Sequence, residues 1–241
     1  MCNSKKISSI AIVIPVYNES STIGLVIEKV LASDTVGLKK KVIVVDDGST
    51  DSNIRYDCEG IILIRNEKNC GKGFSIRLAL EYVDEDIVLI QDADLEYDPE
   101  NYSNLIRPFI ENSADVVYGS RFCGNRVRRV LLFRHEIANR ILTFISNIFT
   151  GINLADMEVG YKVFRTDVLK SISLNENRFG FEPEVTSKIA KIKDARVYEV
   201  GISYFGRTYK EGKKIRFKDA IVALWCIVRY SLSGGRNAFK N

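Results

Sequence analysis

Histidine is close to absent. His135 is the only one in 241 residues, so neither a histidine-rich metal site nor a Ser-His-Asp triad is supported. The five cysteines, Cys2, Cys58, Cys70, Cys123 and Cys226, never approach within twelve positions of one another. That spacing excludes a zinc-type or thioredoxin-type pair and points to a reduced, cytoplasmic setting. Long apolar runs are missing as well. No stretch reaches the ~18–20 uninterrupted apolar residues that span a bilayer. The N-terminus has no signal-type apolar core, so the chain is expected not to cross a membrane by itself. Two nucleotide-binding signatures are also lacking. No Gly-x-Gly-x-x-Gly follows the first apolar run, which argues against a dinucleotide oxidoreductase. Gly71-Lys72-Gly73 has neither Walker spacing nor its Ser/Thr, which argues against a P-loop enzyme.

What is present is an ordinary composition with uneven charge. Apolar residues make up 46% and charged residues 27%, enough for one large α/β domain with its own core. Residues 1–120 hold 12 Lys/Arg against 20 Asp/Glu, whereas residues 121–241 hold 23 against 11. An acidic half suits a metal and a basic half suits an anion or an anionic surface. Apolar runs of strand length occur at residues 9–16, 41–45, 61–64, 86–91 and 114–119, and amphipathic helical spacing follows several of them. The alternation predicts a mainly parallel, Rossmann-like sheet flanked by helices.

The first, second and fourth runs end in polar residues, and the carboxyl edge of such a sheet is where ligands bind. Asp92-Ala93-Asp94-Leu95-Glu96 places three acids in five residues at the end of the fourth. Such carboxylates repel one another unless a cation neutralises them, and a hard divalent ion held against phosphates is the natural partner. Read structurally, the same stretch is an acidic surface loop before a helix capped by Asp98-Pro99.

Four motifs occur in order: Ile14-Pro15-Val16-Tyr17-Asn18-Glu19, Val45-Asp46-Asp47-Gly48-Ser49-Thr50-Asp51, Asn69-Cys70-Gly71-Lys72-Gly73 and Asp92-Ala93-Asp94. Together they resemble family 2 glycosyltransferases of the GT-A fold. The likeness continues through Gly119-Ser120-Arg121-Phe122, residues 156–164 and Phe179-Gly180-Phe181-Glu182-Pro183-Glu184, and ends at residues 203–209. This second half is similar to the dolichyl-phosphate mannose synthase branch, which moves a sugar to a polyprenyl phosphate. The resemblance implies a catalytic domain over 8–230, with a nucleotide-sugar half (8–120), an acceptor half (121–230) and a short tail (231–241).

It also implies roles. Pro15, Tyr17, Glu19 and Asp47, with Asp46 the less certain partner, would grip the base and ribose of a nucleoside-diphosphate sugar, GDP-mannose or UDP-glucose. Lys72 would sit near the nucleotide at a helix start, with Asp92 and Ala93 against the ribose. Asp92, Asp94 and Glu96 would hold Mg²⁺ or Mn²⁺, which neutralises the leaving diphosphate while the sugar inverts. A hydroxyl acceptor needs a general base, for which Asp156 and Glu158 are the fallback candidates; Asp156 is equally suited to partner an arginine. A phosphate acceptor is already ionised and needs cations instead. Arg121 and, less firmly, Arg134 are implied for it, joined by Arg207 and Lys213 from a basic segment that resembles a closing loop.

Residues 137–152 and 217–232 each put apolar side chains on one helical face. These faces suit core packing or, in the sharper reading, a bilayer surface flanked by cations. The chain would then act peripherally at the cytoplasmic membrane face or recruit a membrane-anchoring partner. Alternatives are a soluble transferase acting on a hydroxyl in polysaccharide assembly and a non-catalytic nucleotide-sugar-binding subunit. No recognition motif for nucleic acid is present.

Overall fold

The structure is a computed structural model that describes residues 6–51, 60–124, 126–130, 133–208, 211 and 217–233. Its elements follow in the order β1 (Ser9–Val16), α1 (Ile23–Ala32), β2 (Lys39–Asp46), β3 (Ile61–Arg65), α2 (Lys72–Ala79), β4 (Ile87–Ile90), α3 (Tyr102–Glu111), β5 (Val116–Ser120), α4 (Phe133–Thr150), β6 (Lys162–Arg165), α5 (Thr166–Ser171), α6 (Phe181–Ile189), β7 (Val197–Gly201) and α7 (Phe217–Leu232). One seven-stranded sheet runs β3-β2-β1-β4-β6-β5-β7, and only β6 is antiparallel to its neighbours.

The parallel half follows directly from the apolar runs. Ile10 to Ile14, Val42 to Val45 and Ile87 to Ile90 are covered on both faces and form the centre of the core, as parallel strands require. Pro15 fits in β1 because β4 pairs with β1 only through Val13, so the missing N–H interrupts no β1–β4 ladder. The chain leaves β1 toward β2 on one side and returns through β4 on the other. The crevice at the carboxyl ends of these three strands is therefore a topological switch point.

The expected fifth strand does not lie beside the fourth. β6, inside the 156–164 motif, slots between β4 and β5 with Lys162 opposite Ile90. Because β6 runs backwards, the residues just before it arrive at the carboxyl end of β4. Lys162-Val163-Phe164-Arg165 has charged ends and only two apolar residues, so no continuous apolar run marks it as a strand. α4 begins at Phe133 and ends at Thr150, two residues short of the apolar spacing, because Gly151 turns the chain at φ 73°. α7 covers the residues that the periodicity predicts.

Candidate active site

The two aspartates that end β2 do different work. Asp47 is buried and accepts four hydrogen bonds: from Asn66 Nδ2 (2.7 Å), Asn69 Nδ2 (2.8 Å) and the N–H groups of Cys70 (2.9 Å) and Gly71 (2.6 Å). It therefore shapes the loop before α2. Asp46 accepts from the Ser49 N–H at 2.8 Å. Its buried Oδ2 has no hydrogen bond, only the Arg65 guanidinium at 3.4 Å. An open pocket of about 320 Å³ lies alongside, lined by Gly48, Ser49, Thr50, Arg65, Asn66 and Glu67. Asn18 ties the first loop to this one, donating its N–H to Ser49 Oγ and accepting from the Thr50 N–H. Tyr17 stands partly exposed beside it and Pro15 is half-buried.

Lys72 is not a solvated helix-end lysine. It lies buried at the start of α2, with Nζ 2.7 Å from Asp92 and 2.9 Å from Glu182. Burial alone would lower its pKa, but the two carboxylates prevail and raise it. Its flanking glycines answer a close approach. A Cβ at Gly71 would strike the Asn177 carbonyl, and one at Gly73 the Glu176 carbonyl, so a loop of the second half closes over the lysine. The turn carrying Asp92 is braced from below. Buried Gln91 accepts from the hydroxyls of Tyr102 (2.7 Å) and Tyr161 (2.6 Å) and donates to the Asp92 carbonyl. Ala93 is buried and its carbonyl accepts from Thr22. Gly160 backs onto Asp92 where a side chain would collide with the carboxylate. Glu182 has no role in the sequence reading. The sequence carries no periodic signal for it: α6 mixes Glu182, Glu184 and Lys188 with Thr and Ser, yet every residue of the helix is buried.

The remaining acids converge on one guanidinium. Arg207 donates from Nη1 and Nη2 to the two carboxylate oxygens of Glu19, both at 3.0 Å, and from Nη2 to Asp94 at 2.7 Å. Its backbone N–H donates to Glu96 at 2.8 Å, and its Nε lies 3.4 Å from the same oxygen. Tyr204 donates to the other Glu96 oxygen at 2.8 Å. Burial, then Asp92 and Glu96, push the Asp94 carboxyl up to about 7 against the pull of Arg207. The structure thus joins Glu19, Asp94, Glu96 and Arg207, from three distant segments, and places Asp92 with Lys72.

Across the Tyr204 ring, 5.2 Å from its centroid, lies the Arg121 guanidinium. Arg121 forms a fork on fully buried Asp156, Nε to Oδ2 at 2.7 Å and Nη2 to Oδ1 at 2.6 Å. Asp156 is thus the arginine's partner. Glu158, the other fallback base, has one buried oxygen without a hydrogen bond. Burial, then Glu182, push its carboxyl up to about 8. Arg134 stands exposed in the first turn of α4, and among the described residues no hydrogen bond or ion pair joins it to the acids. Lys213 lies outside the described residues.

The apolar faces of α4 and α7 point outward. α4 buries Thr143 and Ser146 while Phe144 and Ile148 are each 65% exposed. α7 packs beside it, burying Ala223, Cys226 and Ile227 and presenting Ile221, Trp225 and Leu232. A contiguous face of this kind marks an interaction surface. Among the described residues no helix is long and apolar enough to cross a membrane.

The residues suit a hard divalent cation in kind, since oxygen donors crowd the end of β4 and a guanidinium already stands among them as a cation. They do not form a finished chelate: among the described residues no three acids are grouped to hold a metal as they stand.

The model of the Glycosyl transferase family 2 domain matches residues 11–173. Undecaprenyl-phosphate 4-deoxy-4-formamido-L-arabinose transferase of Edwardsiella ictaluri is 25% identical over 221 residues, 88% of this chain and 65% of that protein. Dodecaprenyl-phosphate galacturonate synthase of Rhizobium johnstonii is 23% identical over 212 residues, 85% of this chain and 61% of that one. The chain therefore spans less than two thirds of the length of these relatives. Glucosyl-3-phosphoglycerate synthase from Mycobacterium tuberculosis, solved with Mn²⁺, UDP and phosphoglyceric acid, superposes with a TM-score of 0.72 at 18% identity, over 93% of this chain and 78% of that one. Likeness at that identity establishes the shared fold, GT-A.

Proposed function

Because this chain belongs to glycosyl transferase family 2, we propose that it transfers a hexose, mannose or glucose, with inversion from a nucleoside-diphosphate sugar to a polyprenyl phosphate. The observation that carries the acceptor is the state of the two candidate bases. Asp156 is locked in a fork by Arg121, and Glu158 is half-buried with its carboxyl pushed up to about 8. A hydroxyl nucleophile would find the first already paired and the second largely protonated at neutral pH. A phosphate monoester brings its own charge and needs none. Arg121, which lies across the Tyr204 ring from Glu96, would hold it.

The names of the two transferases speak of undecaprenyl and dodecaprenyl phosphate, which supports the same acceptor class. The outward apolar faces of α4 and α7 would meet the bilayer that carries such a lipid. On the donor side, Asp46 with its pocket would take the base, Tyr17 and Pro15 its flank, and Lys72 and Asp92 the ribose–diphosphate. Asp94, Glu96 and Glu19 would hold Mg²⁺ or Mn²⁺. That ion, when bound, supplies positive charge to the departing diphosphate. Lys72, held by Asp92 and Glu182, would add a second positive charge on the diphosphate side.

The test is a label-transfer assay with purified protein, Mn²⁺ or Mg²⁺, and a short polyprenyl phosphate beside the matched unphosphorylated polyprenol. The donors are GDP-mannose, UDP-glucose and UDP-galacturonate. Label in an organic-extractable, acid-labile product from the phosphate tube alone is the expected result. Label in the polyprenol tube would overturn the acceptor assignment.

A further inference from the structure

The Arg207 contacts carry an inference beyond the transfer reaction, although it rests on the reading that Asp94 and Glu96 receive a divalent ion. We propose that Arg207 is a built-in competitor of that ion. Its side chain occupies the cation position among Glu19, Asp94 and Glu96, and metal enters in strength only when a nucleoside diphosphate supplies further ligand oxygens and draws the guanidinium away.

Three features support this. First, the guanidinium answers three carboxylates at once, both oxygens of Glu19 and one each of Asp94 and Glu96. No other arginine among the described residues is paired to three acids. Second, the contact is sheltered: the Arg207, Asp94 and Glu19 side chains are 18%, 19% and 8% exposed, so solvent weakens the pairing little. Third, the oxygens that a metal would need are the ones already donated to. Asp94 Oδ2, an oxygen that an ion would take, already lies 2.7 Å from Arg207 Nη2, and two cations on one carboxylate oxygen repel each other. A bare divalent ion must therefore overcome an existing ion-pair network. A diphosphate changes the balance, because it brings oxygen ligands to the metal and an anionic partner for the freed guanidinium.

The arrangement also makes the test clean. Glu96 is held to the 204–207 segment by the Tyr204 hydroxyl, by the Phe205 N–H to its carbonyl at 2.9 Å and by the Arg207 N–H. None of these needs the guanidinium, so Arg207→Ala removes the cation and leaves the backbone anchor. Mn²⁺ uptake is read from the free-ion electron paramagnetic resonance signal, without nucleotide and with UDP or GDP. The Mn²⁺-dependent rise in melting temperature gives a second reading.

The expected result is that Arg207→Ala binds Mn²⁺ without nucleotide about tenfold more tightly than the native protein, or more. Its melting temperature should also rise further on adding the ion. The native protein should gain affinity from UDP or GDP by a larger factor than the variant does. Arg207→Lys keeps one charge but cannot bridge Glu19 and Asp94 with a planar fork, and should fall between them. Equal or weaker nucleotide-free binding by Arg207→Ala, with native uptake in the presence of nucleotide, overturns the competitor role and leaves metal dependence standing. No uptake by either protein under any of these conditions removes both.

Discussion

Asp47, which is buried, and Asp94, which is half-buried, are carboxylates at the carboxyl edge of the same sheet, one after β2 and one after β4, yet their surroundings are opposite. Asp47 receives four N–H donors, two from asparagine side chains and two from backbone. Asp94 is surrounded by Asp92, Glu96 and Glu19, with Arg207 as its counter-charge. Neutral dipoles satisfy an anion fully and hold a loop in shape. Like charges leave a deficit that calls for a cation. The difference separates an acid whose donors hold a loop from one whose neighbours favour a cation.

Substitution can break this comparison directly. The largest effect is expected for Asp94→Asn, which should lower transfer by at least about 100-fold through lost stabilisation of the leaving group, while the melting temperature holds or rises. An unchanged rate would remove Asp94 from the chemistry. Asp47→Asn should do the reverse. An amide keeps one acceptor oxygen and points donors at donors, so a loss of roughly 2–4 kcal/mol in denaturant unfolding is expected. A stable variant with selective loss of nucleotide affinity would return Asp47 to direct ligand contact.

A smaller effect sharpens the comparison at Glu158, a half-buried acid whose buried oxygen has no hydrogen bond and on which the pull of Lys162 and Arg121 does not outweigh burial. Its carboxyl is raised from an ordinary 4.5 to about 8, first by burial and then by Glu182. In that window the folded state holds a proton that the unfolded chain releases, so native stability falls as pH rises from about 4.5 to about 8. Glu158→Gln stays neutral throughout. The two melting temperatures should therefore diverge in favour of the variant by a few degrees between pH 5 and pH 8. Parallel curves would show that Glu158 ionises no differently once folded.

Much of the first half's polar edge was legible in the sequence because it is local. Apolar runs that stop at Asn18-Glu19, Asp46-Asp47 and Asp92 give the strands and the polar edge together. The second half was legible only as charge density. The fork of Arg121 on Asp156 spans 35 positions, and Arg207 reaches Glu19 across 188. Spacing along a chain carries no information about such pairs. The antiparallel β6 was missed for a related reason, since four residues between a loop and a short helix have no period to detect. α4 shows the converse. Its apolar face was plain in the sequence, but the face it buries carries small polar Thr143 and Ser146, with Thr143 accepting from the Met157 N–H.

The glycines on either side of Lys72 have a consequence for recombination. They exist to admit the carbonyls of Glu176 and Asn177, and Lys72 itself is clamped by Glu182. A chimaera spliced near residue 120 would take the lysine from one parent and its roof and clamp from the other. A working exchange of halves between relatives therefore requires moving a three-dimensional patch of touching residues, with Gly71, Gly73 and the 176–182 loop travelling as one unit of inheritance.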